Sequence, residues 1–202
     1  MSDRAGSEVK PAATVEAESV AAEALEATAR AEQALAAERG RVEQLLAQTT
    51  LDEVTGLLNR RGFADAATRS LARARRYREI GALILMDIAG MEDTRTRLGE
   101  DAGNFLVVSV GNLLRTRFRD VDYVARLEGG RFALLLPMIA EEDARRRTAT
   151  LKTHLDRMSV PWQGQTMRIR ARIGLINYGP REATADLLER AEADMRERMD
   201  RR

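Results

Sequence analysis

Glu128 and Arg131 stand on either side of Gly129-Gly130 within Asp120–Pro137, DVDYVARLEGGRFALLLP, the stretch best suited to present chemistry. Paired glycines between β-prone runs mark a hairpin, because glycine reaches positive φ at little steric cost. The apolar runs Tyr123–Leu127 and Arg131–Leu136 are its strands. Pro137 closes the second, since proline cannot donate to a ladder. A tip exposed between two buried strands is a place for binding or catalysis. Here it offers one acid and one base, and no adjacent acid pair follows the glycines. Other chemistries are excluded by composition. Without cysteine there are neither disulfides nor thiolate metal sites. His154 is the single histidine, which rules out a His-based metal cluster or a Ser-His-Asp triad. Its place on a charged helix reads as a solvated side chain.

The elements that position the tip follow from periodicity. Residues 1–14 are polar or small, contain Pro11 and lack periodicity, so they read as a disordered tail. Residues 15–50 turn to Ala, Glu, Gln, Leu and Arg, good helix formers. Leu35, Val42 and Thr49 stand at heptad spacing, with Ala31 and Leu45 at the complementary position. That seam suits a parallel two-stranded coil and a homodimer, weakened by Glu38 in the seam and by Gly40. The alternative is a single solvated helix. Gly56 then breaks the chain, and Asn59 is placed to cap a helix running to about Tyr77 with an apolar stripe of Phe63, Ala67, Leu71 and Ala74.

Ile80–Ile88 is apolar almost throughout, as expected of a central strand covered on both faces, and Asp87 sits near its end. A short polar segment leads to a helix over about Asp101–Phe118. After the hairpin come a helix over about Glu141–Met158, a strand over Met167–Ile176 with Arg168, Arg170 and Arg172 on its wet face, and a last helix over about Thr184–Met199. The expectation is an α/β (α+β) fold, a central mixed sheet flanked by helices and preceded by a long N-terminal helix.

With 202 residues, 44% hydrophobic and 32% charged, one domain of ordinary size plus an extension is expected. A net charge of +1 argues against nucleic acid as a partner. Only Lys10 and Lys152 are lysine, so the bases are nearly all arginine. No apolar run approaches the ~20 residues of a membrane span, and no secretory segment opens the chain; a soluble, cytoplasmic protein is expected.

From Asp52 onward the chain resembles the GGDEF family, the diguanylate cyclase domain. Asp52-Glu53-Val54-Thr55-Gly56-Leu57-Leu58-Asn59-Arg60-Arg61 matches the family's opening motif, D-x-L-T-G-L-x-N-R-R, at nearly every fixed position. Leu85-Met86-Asp87-Ile88 matches the strand bearing the first metal-binding aspartate. Val124-Ala125-Arg126 and Phe132-Ala133-Leu134-Leu135-Leu136-Pro137 match the flanks of the signature, and Ile173-Gly174 fits the late strand. The resemblance implies that fold over residues 51–202. In its register the five signature positions are Glu128, Gly129, Gly130, Arg131 and Phe132, with Gly130 and Arg131 in place of the two acids. Ala89 stands for a second aspartate. Arg95 and Asn104 replace residues that read guanine in active relatives, and Met199 replaces a phosphate-contacting lysine.

Members of the family join two GTP molecules by attack of a 3′-hydroxyl on an α-phosphate, with Mg²⁺ held by carboxylates. A pocket with Asp87 alone and Arg131 in place of an acid has about zero formal charge where about two or three negatives are wanted. Arg131 could itself bind a triphosphate, but activation of the attacking hydroxyl would be unaccounted for. The expectation is a degenerate domain that is not an enzyme, with no catalytic residue, no magnesium and a vestigial Asp87.

The resemblance also implies a binding site. Many family members carry R-x-x-D before the signature, where the product cyclic di-GMP binds, and Arg119-Asp120-Val121-Asp122 occupies that offset. Arginine can donate in pairs to guanine O6 and N7, and a carboxylate can accept from N1 and N2. Arg117-Phe118-Arg119-Asp120 is a second such run, and the competing reading is a surface Arg–Asp pair at a helix end. A second arginine from the following helix often completes the family's site; ungapped counting puts Thr150 there, with Arg146 and Arg147 about a turn earlier. The expected function is a cyclic di-GMP receptor acting through Arg119 and Asp122. The alternative is a nucleotide-independent scaffold that docks a protein partner whose identity the sequence does not specify.

Overall fold

The computed structural model describes residues 27–38, 41 and 49–200. The chain divides into two units, Met1–Gln48 and Thr49–Arg202. In the first, residues 27–38 are helical with exposed side chains, Leu35 at 53%. Val42, Leu45 and the expected tail, residues 1–14, lie outside the described residues. Thr49 and Thr50, at the end of the expected coil, are not helical.

In the second unit Asn59 has extended backbone and its Oδ1 accepts the Gly62 N–H at 2.9 Å, capping α1 (Arg60–Tyr77) as its sequence position suggested. The helix stops where Arg78 turns left-handed, at φ 57°. Its stripe of Phe63, Ala67, Leu71 and Ala74 is buried. Strand β1 (Gly81–Ile88) follows, then α2 (Met91–Leu98) and α3 (Glu100–Arg117). The hairpin is β2 (Tyr123–Glu128) and β3 (Arg131–Pro137); α4 (Glu141–Arg157), β4 (Ser159–Trp162), β5 (Gln165–Arg168), β6 (Ala171–Tyr178) and α5 (Thr184–Asp200) complete the order.

The main sheet runs β2-β3-β1-β6 with antiparallel neighbours. One parallel bridge, Leu58 to Ala125, adds the opening motif at the edge. Side chains alternate between two cores, as the two-residue period of a strand requires. Leu83 and Leu85 of β1 join Phe63 and Leu71 of α1 and Leu187 and Ala191 of α5 on one face. Ile84 and Met86 join Leu106 and Val110 of α3 and Leu151 and Leu155 of α4 on the other. Burial on both faces is why β1 reads as an unbroken apolar run.

Two expectations are corrected. The polar segment after β1 contains a helix, α2, with Met91 its one buried side chain. The single strand expected over Met167–Ile176 is two strands in different sheets: β5 pairs with β4 in a separate hairpin, and β6 joins β1. No described helix is long and apolar enough to cross a membrane.

Candidate functional site

The hairpin tip reaches the end of β1. Gly129 has φ 50°, and the Ile88 N–H donates to Gly130 O at 3.0 Å. Arg131, Asp87 and Arg172 are neighbours in register across β3, β1 and β6, so the three side chains share a face. Arg172 Nη1 is 3.9 Å from Asp87 Oδ2. Arg131 Nη1 donates to Glu192 Oε1 of α5 at 3.1 Å and lies 3.6 Å from Glu128 Oε1, which also accepts from Arg60 Nη2 at 3.2 Å. Phe132 is fully buried behind the tip. Of the family's guanine-reading positions, Arg95 lies across Gly103, its Nε 3.3 Å from Glu100 Oε2, and Asn104 is half-buried on α3.

A buried ion pair ties the opening motif to the tip. Arg126 Nη1 donates to both Asp52 oxygens at 3.2 Å, while its Nε and Nη2 donate to Gly129 O at 3.0 and 2.9 Å. Asp52 Oδ1 also accepts the Thr55 N–H at 2.8 Å and the Thr55 hydroxyl at 2.6 Å. Burial pushes the Asp52 carboxyl up, but the Thr55 and Arg126 hydrogen bonds outweigh it and hold it below its ordinary value of 3.8. Arg126 is thus a fixed brace for the loop, a role that position alone did not disclose.

Arg119 and Asp122 close the turn between α3 and β2. The Arg119 N–H donates to Asp122 Oδ2 at 2.9 Å, and the Asp122 N–H to Arg119 O at 2.9 Å. The guanidinium that meets Asp122 comes from α4: Arg147 Nη1 donates to Oδ2 at 3.1 Å, with the Asp122 side chain 3% exposed. Arg119, Arg146 and Arg147 are shared by two adjoining hollows. One of about 130 Å³ includes Asp122 and Asp143; the other, of about 340 Å³, includes Phe118, Thr150 and His154. His154 Nδ1 is 2.7 Å from Thr150 O. The structure therefore brings together Arg119, Asp122 and the helix arginines, and holds the signature residues in a separate corner with Asp87.

An antiparallel sheet in the order β2-β3-β1-β6, layered by helices and with a glycine hairpin turned toward the end of its central strand, is the arrangement of a nucleotidyl-cyclase-like α/β domain. The family model described as "Diguanylate cyclase, GGDEF domain" matches residues 49–201, and the chain belongs to that family. Diguanylate cyclase TpbB of Pseudomonas aeruginosa is 31% identical over 145 residues, 71% of this chain and 33% of TpbB. The chain thus spans about a third of that relative. The solved GGDEF domain of TpbB superposes with a TM-score of 0.67 at 31% identity, covering 72% of this chain and 86% of that one. The coiled coil and GGDEF domain of DgcB from Caulobacter crescentus, solved with cyclic di-GMP, has a TM-score of 0.70 at 22% identity over 88% of this chain and 93% of that one, a likeness of fold.

These findings correct the expectation that the chain is not an enzyme. It falls in a family of diguanylate cyclases, and a relative 31% identical carries that name. A sum of formal charges over Asp87 and Arg131 leaves out carboxylates that reach the corner from other elements. The structure sets two carboxylates, Glu192 and Glu128, against Arg131.

Proposed function

We propose that this GGDEF domain works in cyclic di-GMP signalling and binds the dinucleotide at the Arg119–Asp122 turn, with α4 supplying further guanidinium groups. The observation that carries this reading is the Arg147–Asp122 contact at 3.1 Å, which draws a helix arginine to the turn beside Arg119 and Arg146. Arg119, Arg146 and Arg147 line one hollow with Asp122 and Asp143, a guanidinium-rich lining that suits a ligand with two guanines and two phosphates. Arginine pairs with guanine O6 and N7 and with phosphate oxygens, and Asp122 accepts from guanine N1 and N2. Because Asp122 is buried under Arg147, the ligand enters by exchanging for Arg147, which then turns to a phosphate.

At the signature corner Asp87 faces Arg172, and Glu128 and Glu192 face Arg131, so a magnesium ion held there would have to draw a carboxylate away from its guanidinium. We also propose that the N-terminal helix pairs two copies of the chain, with Ala31 and Leu35 in the seam; Leu35 exposed on a helix of good formers supports this. Sedimentation of the full chain should give a dimer, and Leu35→Glu a monomer.

Titration calorimetry with cyclic di-GMP tests the binding site. Wild type should bind at micromolar concentration or tighter. Arg119→Ala and Arg147→Ala should each lose about 1–3 kcal/mol per guanine contact removed. Absence of heat at high ligand concentration, or full affinity in both variants, would defeat the reading.

A further inference from the structure

Strand β6 ends the main sheet, and its outer edge lies in a trough of about 760 Å³ between α4 and α5. An open edge offers unpaired N–H and C=O groups to another strand. This one is closed at its far end: the Leu175 N–H donates to Asp194 Oδ2 at 2.7 Å, and Asn177 O accepts from Arg190 at 3.4 Å. Over Ala171–Ile173 no described side chain caps it in that way. Half-buried Ile173 and Leu175 give the trough an apolar floor.

The walls are basic. Arg145 and Lys152 project from α4, Arg172 from β6 and Arg198 from α5, against two acids, Asp194 and Glu197. Asp194 is already engaged by the Leu175 N–H and by Arg198 Nε at 2.6 Å. Arg145 and Lys152 pair one turn along α4 with Glu141 and Asp156, surface pairs that cost little to exchange. Arg168 and Arg170, just before β6, are exposed and form no ion pair among the described residues. The lining carries no aromatic side chain on which a nucleic-acid base could stack.

We propose that the β6 edge is a docking groove for an extended, acidic peptide segment of a protein partner, added to the sheet as a further strand. Main-chain hydrogen bonds to Ala171–Ile173 would supply affinity, and alternate side chains specificity. One set would lie on Ile173 and Leu175; the other, acidic, would meet Arg172 and Arg198. This surface is separate from the Arg119–Asp122 turn and does not rest on its ligand.

Fluorescence anisotropy of the full chain with a labelled peptide of alternating Val and Glu tests it, beside the same peptide with Lys for Glu and a single-stranded oligonucleotide. Saturable binding of the acidic peptide alone is expected. The Arg172→Glu/Arg198→Glu double variant should weaken it at least about tenfold, since each factor of ten is ~1.4 kcal/mol. Ile173→Pro, which removes one outward N–H at an edge where proline is tolerated, should weaken it similarly, with circular dichroism reporting that both variants fold. Absence of saturation at about 1 mM, a level of mere contact, would overturn the proposal. So would equal binding of the lysine peptide or the oligonucleotide, or undiminished binding by the charge-reversed variant.

Discussion

Arg131 of β3 and Glu192 of α5 meet at 3.1 Å, so the basic residue at the tip of the hairpin is anchored to the last helix of the domain. Glu128 and Arg60 extend the contact to the start of α1. One chain of alternating charge thus joins α1, the β2–β3 hairpin and α5, which are far apart in sequence. The Arg131 and Glu192 side chains are 29% and 38% exposed, which limits the strength of the pair. Glu192→Gln should cost no more than ~1 kcal/mol in urea unfolding, and less at high salt. Its larger effect should be faster amide exchange at Gly129 and Gly130, because the tip loses its tether to α5.

The Asp52–Arg126 pair should behave differently. Its side chains are 20% and 7% exposed, and Arg126 also holds Gly129 O. Asp52→Ala leaves a buried guanidinium without its acid, and about 3–5 kcal/mol of stability should be lost in denaturant titration. The Asp52 carboxyl is lowered in the folded state. Its contribution is therefore fully present above the ordinary value of 3.8 and lost as pH falls through the folded value. Wild-type stability should drop below about pH 4, and Asp52→Asn should show a flatter acid limb.

Gly174 tests how closely α5 lies on the sheet. A Cβ there would collide with Ala191 O and come within 2.9 Å of Met195 N, both backbone atoms of the helix. Backbone cannot rotate away as a flexible side chain can. Gly174→Ala should cost about 1–3 kcal/mol by overpacking, read as a lower melting temperature, and should also perturb the Arg131–Glu192 contact.

Local chemistry made some elements legible in sequence and hid others. Asn59 as a helix cap, the Gly129-Gly130 hairpin and the unbroken apolar β1 each announce themselves, because cap, turn and double burial act over a few residues. The alternation of Arg168, Arg170 and Arg172 continues through a change of sheet, since β5 and β6 keep the same two-residue period on either side of buried Ile169. Pro161 masked β4, whose turn to β5 relies on positive φ at Gln163 and Gly164. Among site residues, Arg119 and Asp122 could be singled out by spacing. Arg147 could not be chosen over Thr150 by counting, because which face of α4 meets the turn is decided by the burial of Ala144, Leu151 and Leu155. Glu192 carried no signal at all, since its partner arises only when α5 folds back against β6.

Thr150 offers the sharpest test of the nucleotide site. It lines the larger hollow with Arg117, Arg119 and Arg147, on the exposed side of α4. It lies three residues after Arg147, so the two side chains are neighbours on one face of the helix. A guanidinium at 150 would add a donor pair within the hollow without displacing Arg147 from Asp122. Thr150→Arg should tighten cyclic di-GMP binding by about tenfold, within the ~1–3 kcal/mol range of one bidentate guanine pair. It should leave the melting temperature of the ligand-free protein nearly unchanged, because Thr150 is exposed. If Thr150→Arg binds no more tightly and Arg119→Ala binds no more weakly in the same calorimetric series, the dinucleotide does not occupy this hollow, and the Arg147–Asp122 contact serves the turn alone.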